Sequence, residues 1–169
     1  MRNAIVRRWT LPNLCLVALL TLVSISMSTT ATSAATPAAT GVQHCLVKLA
    51  PLTPEDRAAH HGSRVLSKQC SSQPIVQPND GPALVQLFEG ANYSGNSVTF
   101  SGSNCLDNYS VADFNTIGWN DRVVSALRYC ERNSVLYQDT YYGGAQFAIT
   151  ADVPDMGQFD DTASSWTTA

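Results

Sequence analysis

Oxygen-bearing side chains spaced to hold a hard cation are concentrated in the last third of this 169-residue chain. Asp160-Asp161-Thr162-Ala163-Ser164-Ser165 packs carboxylates and hydroxyls into one short loop, and Asn120-Asp121-Arg122-Val123-Val124-Ser125 repeats its outline upstream. The repeat extends further: Phe88-Glu89-Gly90-Ala91-Asn92-Tyr93-Ser94-Gly95 aligns without a gap on Tyr137-Gln138-Asp139-Thr140-Tyr141-Tyr142-Gly143-Gly144. Calcium takes about six to eight oxygen ligands at roughly 2.3 to 2.6 Å, from carboxylates, hydroxyls and backbone carbonyls. A duplicated oxygen-rich loop therefore implies two related cation sites on a repeated scaffold. The plainer alternative is that both loops form Asx and Ser turns, with side chains capping backbone amides.

Other chemistry is poorly provided for. The histidines, His44, His60 and His61, all precede the repeated region, so no imidazole lies within it to act as general base. Two carboxylates can hydrolyse a glycoside, but Asp121, Asp160 and Asp161 belong to the better-matched cation motif. Tyr142-Gly143-Gly144 lacks the strand, turn and helix context of a phosphate loop. The sequence reads as a non-enzyme. It also excludes duplex binding: from Ala83 onward only Arg122, Arg128 and Arg132 are basic, against a majority of acidic side chains.

These motifs need an address and a scaffold. Arg2, Arg7 and Arg8, an apolar run from Leu14 to Val23 and small residues at Thr32-Ser33-Ala34 read as a cleaved export signal over residues 1–34. The protein is then secreted, with no membrane attachment after cleavage. Cys45, Cys70, Cys105 and Cys130 remain, an even set in an exported chain, which implies disulfides rather than zinc. Pairing within each region, Cys45 with Cys70 and Cys105 with Cys130, is favoured among the connectivities, and each such bridge is worth roughly 3 kcal/mol in the chain-entropy model.

Residues 35–70 are too short for a core of their own and read as a pro-segment, cover or stalk. Within them Thr53-Pro54-Glu55-Asp56 predicts a short helix, capped by Thr53 and ended by Gly62. Residues 71–82 carry the prolines and small polar residues of a linker. Residues 83–169 alternate short apolar runs with Gly, Asn, Asp and Ser clusters, the pattern of antiparallel strands. The runs are Ala83–Phe88, Ser97–Ser101, Tyr109–Ala112, Val123–Tyr129, Val135–Tyr137, Ala145–Thr150, a short one at Val153, and Ser164–Thr167. Two sets of four strands predict an all-β sandwich of paired Greek keys, with Leu84, Phe88, Phe100, Phe114, Trp119, Leu127, Leu136, Phe147, Ile149, Phe159 and Trp166 in its core.

Tyr93-Ser94-Gly95, Tyr142-Gly143-Gly144 and the two six-residue loops resemble the βγ-crystallins, specifically secreted microbial members that bind calcium. The resemblance covers about half the chain. It implies a folded hairpin at each Tyr-x-Gly and a calcium motif of Asn/Asp, Asn/Asp, any, any, Ser/Thr, Ser. Asp160 to Ser165 meets that motif at every specified position, whereas Asn120 to Ser125 carries Val124 in place of the fifth-position hydroxyl.

The resemblance further implies that each ion takes a carbonyl and a hydroxyl from one motif and a carboxylate from the other. One site then uses the Thr162 carbonyl, the Ser164 hydroxyl, the Asp121 carboxylate and a carbonyl near Gln138 or Asp139. The other, weaker site uses the Arg122 carbonyl, the Asp161 carboxylate and a carbonyl near Glu89. A bacterial metalloproteinase inhibitor family looks like the same fold, which makes a proteinase inhibitor the rival function, with the extra residues between Phe100 and Trp119 as the loop to inspect. An extracellular protease or a cell-wall component are the macromolecular partners implied.

Overall fold

The computed structural model describes residues 41–75 and 81–168. The expected signal over residues 1–34 and residues 76–80 of the expected linker lie outside the described residues. Strands β1 (His44–Leu49), β2 (Val65–Ser71), β3 (Ala83–Gly90), β4 (Ser94–Ser101) and β6 (Ser125–Arg128) form one sheet in the order β2-β1-β4-β3-β6. The second sheet has the order β5-β9-β7-β8, from β5 (Ser110–Val111), β7 (Ser134–Tyr137), β8 (Gln146–Ile149) and β9 (Ser165–Thr168).

The two halves are interlocked by their short third strands. β5 follows β4 in the chain but pairs with β9 of the other half, and Val153, which follows β8, bridges to Ala126 on β6. Each half thus completes the other's sheet, so neither can close its ladder alone. All the strands read between Ala83 and Thr167 are present, with the one at Val153 reduced to a single bridge.

Aromatic side chains from both sheets meet in the centre. Phe100 on β4 lies 4.8 Å from Trp166 on β9 and 6.1 Å from Phe114, centroid to centroid. Of the core residues expected from sequence, Leu127 and Phe147 are only half-buried, and the others are buried. Tyr109 and Leu87, not among those expected, are fully buried.

The segment before Ala83 differs most from expectation. No strand was expected between Thr36 and Cys70, yet β1 lies parallel to β4 and β2 returns antiparallel beside it. Cys45, Val47 and Leu49, two residues apart on β1, point to one face and join the main core. Helix α1 (Pro54–Ala58) is capped as expected, with the Asp56 amide donating to Thr53 Oγ1 at 3.1 Å, but it ends before Gly62. Gly62 serves a different purpose. A Cβ there would sit 2.8 Å from the Ala112 amide nitrogen, so glycine lets the returning loop press against β5. Alongside it the Ser63 amide donates to the Ser110 carbonyl at 2.9 Å, and the Ser110 amide donates to Ser63 Oγ at 3.1 Å.

Both disulfides form within their regions. Cys45–Cys70 joins directly opposed residues of β1 and β2, and Cys105–Cys130 ties the loop after β4 to the end of β6. Because Leu49 is 1% exposed and belongs to the shared core, Leu49→Ala should destabilise the whole domain by about 2 to 5 kcal/mol. Leu66→Ala, on the outer strand and 49% exposed, should change stability by less than about 0.5 kcal/mol. Urea denaturation with the bridges intact checks both; equal, small effects would mean that the hairpin is an appendage.

Candidate metal centre

Each half contains a folded corner held open by a serine. At the second corner Tyr141 and Tyr142 adopt left-handed backbone angles, φ 56° and 65°, which non-glycine residues reach only at a cost. Ser165 offsets that cost: its Oγ accepts from the Tyr142 amide at 3.0 Å and donates to the Asp139 carbonyl at 2.7 Å. The first corner repeats the arrangement with Asn92 and Tyr93, φ 55° and 61°, clamped by Ser125 Oγ to the Tyr93 amide and the Gly90 carbonyl. Tyr142 packs edge-on against Tyr137 and Tyr93 against Phe88. The final serine of each six-residue motif is therefore a corner clamp.

Glycine at position 144 has two causes. Its φ is 73°, and a Cβ would lie 2.8 Å from Asp139 Oδ2, so any side chain would push that carboxylate out of place.

The two motif loops grip each other directly. The Asp121 amide donates to the Ala163 carbonyl and the Asp161 amide to the Val123 carbonyl, each at 3.0 Å, and both aspartates have φ 53°. This exchange carries the Asp121 carboxylate into the second motif, where Ser164 Oγ donates to Asp121 Oδ1 at 3.4 Å. Asn120 Nδ2 donates to the other oxygen of Asp121 at 2.6 Å. Asp121, Gln138, Asp139, Asp161, Thr162 and Ser164 together line an open basin. Its donors are carboxylate, hydroxyl, amide and carbonyl oxygens, which suits a hard cation. Among the described residues no three His, Cys, Asp or Glu side chains are grouped so that they could hold a metal ion by themselves, so any ion held here leans on hydroxyl and carbonyl oxygens as well.

The residues expected at the other site are arranged differently. Arg122 Nη2 forms an ion pair with Glu89 Oε1, and Asp161 lines the basin beside Thr162. Asn96, which sequence reading passed over, donates to Glu89 Oε2 at 2.6 Å. The histidines do reach the β region: β1 brings His44 Nδ1 to 2.8 Å from Ser97 Oγ, and His60 and His61 line a pocket with Tyr137 and Tyr142. Ser97 is fully buried and also accepts from Gln86 Nε2, so the His44–Ser97 pair braces the sheet.

Two Greek keys that trade third strands, each folded at a Tyr-x-Gly corner and closed by an acidic-hydroxyl loop, match the architecture implied by the sequence resemblance. The β region has the βγ-crystallin fold. No family model and no curated protein matches the chain. Similar solved structures include a βγ-crystallin domain from Flavobacterium johnsoniae, 27% identical over 51% of this chain and 94% of its own, with a TM-score of 0.43. Another is a βγ-crystallin from Ciona intestinalis, 26% identical over 50% of this chain and 98% of its own, TM-score 0.42. A mutant of a βγ-crystallin domain from Clostridium beijerinckii is 25% identical over 50% of this chain and 97% of its own, TM-score 0.43.

In this domain the first motif residue of the second key, Asp160, carries an electrostatic load. Burial raises its carboxyl pKa, and the neighbouring Asp155 and Asp161 raise it further, against hydrogen bonds from the Met156 and Gly157 amides. A carboxyl whose pKa is higher folded than unfolded binds its proton more tightly when folded, so its contribution is favourable in acid and is lost as pH rises through the folded pKa. In calcium-free buffer the melting temperature of the native chain should fall, relative to Asp160→Asn, as pH rises from below the ordinary carboxylate range to neutrality. Parallel melting curves across that range would refute the assignment.

Proposed function

We propose that the domain binds one calcium ion in the basin between Asp121 and Ser164, as a non-catalytic structural or interaction module of a secreted protein. The observation that carries this reading is the 3.4 Å approach of Ser164 Oγ to Asp121 Oδ1, because it puts the hydroxyl of one motif beside the carboxylate of the other. Thr162 contributes its carbonyl, Ser164 its hydroxyl and Asp121 its carboxylate. The hairpin contributes a carbonyl from Gln138 or Asp139, both of which line the basin. Water completes the shell. Magnesium competes poorly, since its small octahedral shell suits neither the open basin nor the carbonyl donors. Two disulfides accord with an oxidising compartment, and the basic and apolar segment before Thr32 accords with export.

An ion that binds only the folded state stabilises it by about 2.7 kcal/mol at a hundredfold excess over the dissociation constant, which raises the melting temperature by roughly 10 °C for a domain of this size. Titration calorimetry of the mature chain should show calcium binding, and Asp121→Ala should abolish both the heat and the thermal shift. Absence of heat and shift with the native chain at millimolar calcium would end this reading.

A second reading, inhibition of a metalloproteinase, is favoured by the loop after β4. Leu106 is 79% exposed at its tip, next to the bridged Cys105. The Asn104 side chain accepts from the Leu106 and Asp107 amides at 2.7 and 2.8 Å, and Arg132 Nη1 donates to the Leu106 carbonyl at 2.6 Å. A braced loop presenting one apolar side chain loses little entropy on entering a cleft. Inhibition of a thermolysin-like protease in chelator-free buffer, reduced at least tenfold by Leu106→Asp, is the expected result; digestion of the native chain without inhibition would exclude it.

A further inference from the structure

We propose that in the first half of the domain the Arg122 guanidinium stands in for the divalent ion, so that the Arg122–Glu89 pair closes that site with a cation belonging to the chain itself. The comparison with the second half rests on the calcium reading above; the pairing itself does not.

The internal repeat identifies which residues correspond. Arg122 aligns with Thr162, Glu89 with Gln138 and Val124 with Ser164. In the second half the neutral Thr162 and Gln138 line an open basin. In the first half the same two positions carry opposite full charges and are bound to each other. Where the second half offers a hydroxyl to an incoming ion, the first offers the methyl groups of Val124. The departures from symmetry are thus coordinated: a ligand is removed, a positive charge is added, and an acid is added opposite it.

The guanidinium is fixed from several sides. Its Nη1 donates to the Gly118 carbonyl at 2.7 Å, and its carbon lies 5.5 Å from the Trp119 ring centroid, in cation–π range. Glu89 is equally anchored, since its second oxygen accepts from Asn96 Nδ2 at 2.6 Å, and Asn96 Oδ1 in turn accepts from the Gln43 amide at 2.7 Å. The N-terminal segment therefore buttresses the pair from behind. It also adds charge: Lys68 on β2 donates to the Ile117 carbonyl at 2.7 Å and lines the same groove as Arg122. With Glu89 already neutralised by Arg122 and Lys68 adding a further positive charge, a site short of one hydroxyl disfavours a divalent ion. Arginine suits the task because its planar fork donates to a carboxylate and a carbonyl at once while its face stacks on an indole.

Two measurements on the mature chain with intact bridges decide the matter. In chelator, where no ion contributes, Arg122→Gln and Glu89→Gln should each lower the melting temperature by on the order of 4 °C, modest because the side chains are 45% and 21% exposed. The double variant should lose no more than either single one. Additive losses, or no loss, would overturn the pairing. In a calcium titration the native chain should bind a single ion, and Arg122→Thr combined with Glu89→Gln and Val124→Ser should gain a second. A native chain that binds two ions, or a folded triple variant that gains none while the second half still binds, would overturn the substitution. A native chain that binds no ion at all would sink the calcium reading of the second half, and the chelator series would still judge the pair.

Discussion

The reciprocal grip between the two motif loops is the contact on which the rest of the β region depends. Asp121 donates its amide into the second motif and Asp161 donates its amide into the first. Both aspartates must turn left-handed to do so, a conformation that asparagine and aspartate tolerate better than most residues. The same turn that satisfies a backbone carbonyl across the interface delivers the Asp121 carboxylate to Ser164. Packing and chemistry thus share one backbone feature, and a residue that cannot adopt positive φ at either position disturbs both.

Symmetry of the scaffold and asymmetry of its decoration have separate physical origins. The corners, serine clamps and traded strands are backbone devices, and they are nearly identical in the two halves because the backbone must fold twice in the same way. The groups facing solvent inside each loop are not so constrained. One half keeps an acidic, oxygen-lined basin, whereas the other replaces its hydroxyl with Val124 and pairs Arg122 with Glu89. The hairpin β1–β2 reinforces that difference, because it covers the β4 edge of one sheet and brings Gln43 and Lys68 toward the first half only.

Much of this was legible in the chain itself. The strands from Ala83 onward announce themselves by short apolar runs punctuated with Gly, Asn and Asp, and the repeat reveals which loops correspond. The meeting of Asp121 with Ser164 was legible through the family resemblance, since nothing in local spacing brings those residues together. The strands β1 and β2 were not legible. A parallel pairing with β4 carries no hairpin turn to mark it, and the connection between β1 and β2 contains a helix that masks their partnership. Gly62 misled for a related reason: a glycine after a short helix reads as its terminator, whereas the constraint here is a strand from another part of the chain. The Arg122–Glu89 pair left a trace only as two complementary charge changes at corresponding places of the repeat.

The serine clamps bear on how any ion would be captured. Ser125 and Ser165 hold their corners through bonds to the protein's own amides and carbonyls. On the calcium reading proposed above, these bonds would hold the coordinating frame, and an arriving cation would have little chain to order. A receptor of that kind would fill by loss of hydration water rather than by coupled folding, favouring quick, reversible exchange with the surrounding medium over permanent retention.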